Sequence, residues 1–285
     1  MTVDASGPFP VHAFTPRLRA LGALLHVVAL GTLSYSTALL FKDVLAGTQT
    51  LLPEPLAAGL VVGAALPLIA LRLLRLGTKA TVTVRTEGLL LTQAGGAHFE
   101  IPFEALESIQ PWRLPIPGPG LTLRLRTGRA FEQSLEVQAP MRLLAALGTW
   151  GEARIDPRVR YAQARSEKWR RRWYDQALKY GLVPGVLAGI FFRAHQYISF
   201  GGPFGELQMY GWTAYLTSYV RIWLPVFLAL LLFGCFWRAF AEAFCFSAAW
   251  LGPSWARNVR IGAEWTCRAL YYVALPAFLV ARLLG

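Results

Sequence analysis

KATVTVRTEGLLLTQAGGAHFEIPFEALESI, Lys79 to Ile109, is the stretch that decides the fold. From Ala80 to Arg85 small or apolar residues alternate with polar ones, the period-two pattern of a half-buried strand. Glu87-Gly88 then turns the chain into a second short strand, Leu89–Thr92. Gly95-Gly96 is a strong hairpin signal ahead of a third, His98–Ile101. Ile101, Leu106 and Ile109 are expected core contacts.

The polar island containing this stretch runs from Lys79 to Trp150. Pro115-Ile-Pro-Gly-Pro-Gly120 excludes both helix and central strand. Beyond it, Leu121, Leu123 and Leu125 alternate with Thr122, Arg124 and Arg126, again as a half-buried strand should. Thr127-Gly128 turns the chain into Arg129–Val137. Ala139–Gly148 closes the island as a helix, with Leu143, Leu144 and Leu147 at helical spacing.

Both flanks of the island are apolar. The whole chain is 55% hydrophobic and only 15% charged, well short of the quarter usual in soluble domains, which points to an integral membrane protein. Residues 1–16, with Pro8, Pro10 and Pro16, read as a short tail without the pattern of a cleaved signal peptide. Residues 17–78 read as a transmembrane hairpin. Its first run is Ala20–Phe41 and its second about Thr50–Leu74, rich in small residues that let helices approach closely in lipid. Arg17 and Arg19 precede the hairpin, and Arg72, Arg75 and Lys79 follow it, while the loop between (Lys42, Asp43, Glu54) is slightly acidic. Positive charge beside the outer ends places the N-terminus and the β-domain in the cytoplasm. Residues 151–175 are a basic juxtamembrane segment and 176–285 the C-terminal transmembrane helices. The total is about five spans, or six if Phe240–Trp255 crosses rather than lying re-entrant or along the interface.

Two membrane spans followed by TVRTEGLLL (Thr83–Leu91), FEIPFEALESI (Phe99–Ile109), GLTLRLRTGR (Gly120–Arg129) and a closing helix resemble bacterial membrane proteins with a pleckstrin-homology-like domain. The likeness covers about the first half of the chain and rests on pattern and on Gly88, Ile101, Pro102, Ile109 and Gly120. It implies a curved β-sheet capped by one helix, used as a scaffold or binding module rather than an enzyme. It also implies residence in a bacterial cytoplasmic (inner) membrane. Lipid-binding relatives carry several basic residues around the first hairpin loop, where this chain has Arg85 beside Glu87.

No residue set points to catalysis. Gly-x-Ser-x-Gly, His-Glu-x-x-His and Gly-x-x-x-x-Gly-Lys are all missing from the sequence. His12, His26, His98 and His195 fall in four different settings, and Cys235, Cys245 and Cys267 have no metal-site spacing. No catalytic residue, metal or cofactor is therefore expected. The net charge of +12 is read as membrane-surface charge rather than nucleic-acid affinity. Arg165, Lys168, Trp169, Arg170, Arg171, Arg172 and Trp173 are the expected binding residues for anionic phospholipid. Arg193, Arg221, Trp223 and Arg268 are the expected contacts for another integral membrane subunit, since an Arg in an apolar run must reach an interface, a carboxylate or carbonyls. Two pairs at i, i+4, Arg238/Glu242 and Glu264/Arg268, are expected to neutralise themselves. The leading functional expectation is a non-enzymatic accessory or scaffold subunit. The alternatives are a component of a lipid or ion transporter and a lipid-modifying membrane enzyme.

Overall fold

A computed structural model describes residues 8–47, 50–148, 156–168, 173–274 and 277. Seven antiparallel strands form one curled sheet in the order β4-β3-β2-β1-β7-β6-β5. They are β1 (Phe9–Phe14), β2 (Lys79–Val84), β3 (Gly88–Gln93), β4 (His98–Pro102), β5 (Leu106–Pro111), β6 (Gly120–Leu125) and β7 (Ser134–Glu136). Helix α1 (Pro16–Ala46) follows β1. A second apolar helix, α2 (Pro53–Leu60) continued through a π-helical turn into α3 (Leu66–Gly77), precedes β2. The sheet is closed by α4 (Pro140–Ala146). Then come α5 (Pro157–Lys168), α6 (Trp173–Ala177), α7 (Val183–Phe200), α8 (Gly205–Leu251) and α9 (Ala256–Ala269).

The alternation in the sequence becomes the core of the β-domain. Val82, Leu89, Leu91, Ile101, Leu106, Ile109, Leu121, Leu123 and Leu135 point inward and are buried with Leu143, Leu144 and Leu147 from the α4 region. Each such side chain contributes about 1.5–3 kcal/mol by leaving water. Gly96 takes a positive φ of 84° in the β3–β4 turn, which a side chain would strain. Gly88 is required for a different reason: a Cβ there would collide with the Ile101 carbonyl oxygen across the β3–β4 ladder.

Within the supposed N-terminal tail, Phe9–Phe14 is the middle strand of this sheet. Phe9–His12 pair with β2, and His12–Phe14 pair with β7. Prolines normally exclude a central strand. Pro10 is tolerated because at its position the ladder runs only on the β2 side. Val11, Ala13 and Phe14 are buried, so the segment supplies core as well as hydrogen bonds.

This correction changes the topology. β1 passes through Thr15 into α1, and α3 returns through Thr78 into β2. The helical hairpin is thus an insertion between two paired strands. Its feet are set by the His12–Lys79 register and by the Ala13 N–H bond to the Thr78 carbonyl (2.9 Å). Pro16 at the first helical position, with Thr15 Oγ1 accepting the Leu18 N–H at 3.4 Å, starts α1 directly after the strand.

Among the described residues four helices are long and apolar enough to cross a membrane: Pro16–Ala46, Pro53–Gly77, Tyr174–Phe200 and Gly205–Leu251. The Phe240–Trp255 run is not a helix of its own: α8 continues through its first part to Leu251, and Pro253–Trp255 is a short 3-10 turn. The expected final run begins in α9, an amphipathic helix whose inner face carries Arg260. Residues 278–285 lie outside the described residues. The chain divides into two compact units. One is Met1–Leu30, Gly63–Arg170 and Phe240–Gly285, and the other is Gly31–Val62 and Arg171–Ala239.

Candidate functional site

Three polar constellations stand out. The first is at the foot of the inserted hairpin. Arg75, in the last turn of α3, donates from Nη2 to Glu136 Oε1 (2.7 Å) and to the Pro117 carbonyl (3.1 Å). Glu136 is buried at the end of β7, so the pair ties the second apolar helix to the far side of β1. Arg19 lies 4.0 Å above the Trp112 ring, and Gly22 leaves room for Pro117 and Leu71. Both helices of the hairpin are thereby fixed to the loop 112–119 as well as to their own strands.

Beside this foot the outer face of the sheet forms a cleft of about 440 Å³, lined by Pro10, His12, Lys79, Thr81, Thr92, Glu136 and Gln138 among others. These are the outward positions of β1, β2, β3 and β7. The cleft opens where β1 leaves its β7 partner. Its volume falls in the range of small-molecule and side-chain pockets. Lys79 gives it a cationic, exposed rim.

The second constellation joins α5, the end of α8 and α9. Asp156 starts α5 by accepting the Arg158 N–H on Oδ1 (2.7 Å). One side of α5 then faces the β-domain. Val159 joins its core, and the Gln163 side-chain oxygen accepts the Met141 N–H (3.2 Å). The other side, Tyr161 and Ala164, packs on Cys245, Ala249 and Ala256. At the centre of this packing Glu242 accepts a bidentate pair from Arg260, Nη1 to Oε2 at 2.6 Å and Nη2 to Oε1 at 2.7 Å. The Tyr161 hydroxyl donates to the same Oε2 at 2.6 Å. Arg260 Nε also donates to Glu264 Oε1 (3.2 Å), and Arg165 Nε stands 4.0 Å from Glu242 Oε1. The Arg260 side chain is 2% exposed and that of Glu242 21%. Burial pushes the Tyr161 hydroxyl pKa well above the usual tyrosine range, and the Glu242 charge adds to it. For Arg260 burial alone would lower the pKa, but the hydrogen bonds and charge of Glu242 outweigh it and the guanidinium is held more firmly protonated.

The third lies between α7 and α8. Gly201, at φ +70°, ends α7 in the left-handed conformation. Gln196 and Glu206 are both buried. Gln196 Nε2 donates to Glu206 Oε2 (2.5 Å), the Glu206 N–H donates back to Gln196 Oε1 (3.3 Å), and Ser218 Oγ donates to Glu206 Oε1 (2.5 Å). Among the described residues this carboxylate has neutral partners only.

No protein-family model, curated protein or solved structure matches this chain.

The sequence-predicted residues are placed unevenly on this framework. Of the lipid group, Arg165 faces Glu242 inside the α5–α8–α9 junction, Lys168 ends α5 and Trp173 begins α6. Trp169, Arg170, Arg171 and Arg172 lie outside the described residues. Of the partner group, Arg193 is exposed on α7 with its guanidinium 5.8 Å from the Tyr197 ring, and Arg221 is exposed on α8. Trp223 stacks on Phe227 at 4.8 Å. Arg268 is exposed on α9, 5.4 Å over Trp265. The expected Glu264/Arg268 pair gives way to Glu264 with Arg260, one turn in the other direction, because Arg260 is on the buried face of α9. Glu206, which the sequence patterns did not single out, is held by Gln196 and Ser218. The signal that could have found it is a lone acid beside the Gly201-Gly202 turn between two apolar runs. Tyr161 gave no signal at all, since its partner lies 81 residues away.

Proposed function

We propose that the chain is a non-enzymatic accessory or scaffold subunit of a bacterial cytoplasmic membrane, with a cytoplasmic pleckstrin-homology-like domain that binds other membrane proteins and anionic lipid. The single observation that carries this reading is the insertion of the apolar hairpin between the paired strands β1 and β2. A domain joined to a membrane by one linker swivels. This one is joined to the two feet of the hairpin through two adjacent strands, the half-buried Arg75–Glu136 pair and the Arg19–Trp112 stack, with its outer-face cleft beside those feet. Preorganisation of this kind lowers the cost of docking a partner in the same membrane. Arg193, Arg221, Trp223 and Arg268 add contacts on the helices.

The test is recovery of partners from native membranes in mild detergent. Stoichiometric co-purification of a second integral membrane protein is expected. It should be lost on Thr81→Trp, which fills the cleft, and reduced on Arg221→Leu. A chain that purifies alone, or partner recovery untouched by both variants, refutes the reading.

The Gln196–Glu206–Ser218 constellation favours a second reading, a component of a lipid or ion transporter. A buried acid with neutral partners in an apolar helix pair is the usual mark of a transport path. Under that reading Glu206→Gln abolishes ion or lipid flux in proteoliposomes without changing expression. Under the scaffold reading it changes neither flux nor partner recovery.

A further inference from the structure

The turn from α8 to α9 exposes an apolar tip that the scaffold reading does not use. Trp250 is 53% exposed, Leu251 87% and Trp255 65%, all within Trp250–Trp255. One helix face further on, Trp265 is 65% exposed. Three large side chains projecting together from a tight helix–turn–helix corner need a covering surface.

Two observations say what covers them. The first is charge. The tip is collared by Arg158, whose guanidinium is 5.9 Å from the Trp250 ring, by Arg257, 67% exposed, and by Arg268 over Trp265. Arg160 is also exposed on the neighbouring turn of α5. Asp156 and Glu167 compensate Arg158 and Arg257, and the surface stays net basic. The second is position. Arg19, in the first turn of the apolar helix α1, stacks on Trp112. Trp112 and Arg158 line one crevice, together with Pro115, Pro119 and Val159. Arg158 then reaches Trp250. The tip is therefore linked through two cation–ring contacts and this shared crevice to the foot of α1, where Arg17 and Arg19 mark the headgroup layer.

We infer that the Trp250–Trp255 turn and the outer face of α9 form a membrane-surface anchor. The indoles and Leu251 enter the headgroup–acyl boundary, and Arg257 and Arg268 contact the phosphates of anionic lipid. Tryptophan and arginine are the residues that combine an apolar body with a polar tip at that depth. This surface is distinct from the expected lipid group Arg165–Trp173; it shares Arg268 with the partner contacts of the scaffold reading but does not depend on that reading.

The test uses the full chain in nanodiscs of phosphatidylglycerol and phosphatidylcholine. Benzoylphenylalanine replaces Leu251, and mass spectrometry reads what it captures on illumination. The same photoprobe at Val62, exposed on the apolar hairpin, is the positive control, and at Gly95, in the β3–β4 turn, the negative one. Lipid adducts at 251, enriched in phosphatidylglycerol, are expected. Arg257→Gln with Arg268→Gln should lower that enrichment by about fivefold per charge removed, the equivalent of roughly 1 kcal/mol per cation at a membrane surface. Capture of protein instead of lipid, or no adduct at 251 while Val62 labels, overturns the inference. So does an enrichment that the double variant leaves unchanged.

Discussion

Glu242→Ala should loosen the α5–α8–α9 junction more than any other single truncation in it. The substitution removes both short hydrogen bonds to Arg260 and the one from Tyr161. It leaves a guanidinium whose side chain is 2% exposed without its bidentate carboxylate, beside the 3.2 Å bond from Nε to Glu264. Stripping one partner from a buried ion pair costs about 3–5 kcal/mol, because the remaining charge stays desolvated. Replacing both partners by apolar residues, Glu242→Leu with Arg260→Met, should cost far less and can be close to neutral. Hydrogen exchange of the full chain in nanodiscs reads the difference directly. Where local opening governs exchange, 3–5 kcal/mol corresponds to roughly a hundredfold to several thousandfold faster exchange in Pro157–Lys168 and Ala256–Ala269. The exchange of β3 and β4 should not change, and the double variant should recover most of the protection. Unchanged exchange in Glu242→Ala, or a double variant as loose as the single one, would refute the view that this ion pair holds the joint.

Other outcomes follow from the same geometry. Deleting Phe9–Phe14 should abolish folding of the β-domain, as judged by protease resistance, because it removes the middle strand and not a tail. Arg75→Met should lower the thermal midpoint and cost about 3 kcal/mol, since Glu136 then stays buried without its cation; Arg75→Lys should recover part of this. The Tyr161 hydroxyl has a folded pKa above its unfolded value of about 10, so its contribution is complete below that value and is lost as pH rises through the folded one. Junction protection in wild type and Tyr161→Phe should therefore differ by a constant factor between pH 6 and 9. Cysteines introduced at Leu52 and Gly95 should label from opposite sides of the membrane in intact cells, Leu52→Cys from outside.

The strands of the β-domain were legible because their information is local. Val82, Leu89, Ile101, Leu121 and Leu123 declare a buried face by alternation alone, and Gly95-Gly96 declares the turn between two of them. The same holds for the apolar helices, whose length and lack of charge need no partner to be read. The insertion of the hairpin was not legible, because its evidence is a pairing between His12 and Lys79, which no short window contains. Three prolines disguised β1 further. Only the register explains why Pro10 does no harm, since the missing N–H falls where the strand has one neighbour. The junction failed for a related reason. Periodicity identifies a charged pair within a helix, Glu264 with Arg268, but it cannot see that Arg260 is turned inward toward a carboxylate from another helix.

Topology also explains why the buried charges cluster where they do. A sheet that receives both feet of a helical hairpin between adjacent strands has no flexible linker in which to absorb motion of those helices. Movement of α3 at its foot must strain the β1–β2 ladder or the Arg75–Glu136 pair, and movement of α8 at its end must strain Glu242 against Tyr161 and Arg260. Each of these contacts is short, directional and largely shielded from water, so it resists rotation in a way that packed leucines do not. Helix α5 is the common element. Its Val159 and Gln163 belong to the β-domain, and its Tyr161 and Ala164 belong to the α8–α9 pair. The end of α8 thus meets the sheet's side of α5 through apolar packing and the Glu242 carboxylate together. Removing the carboxylate at Glu242 should loosen that end of α8 from α5 without unfolding the β-domain.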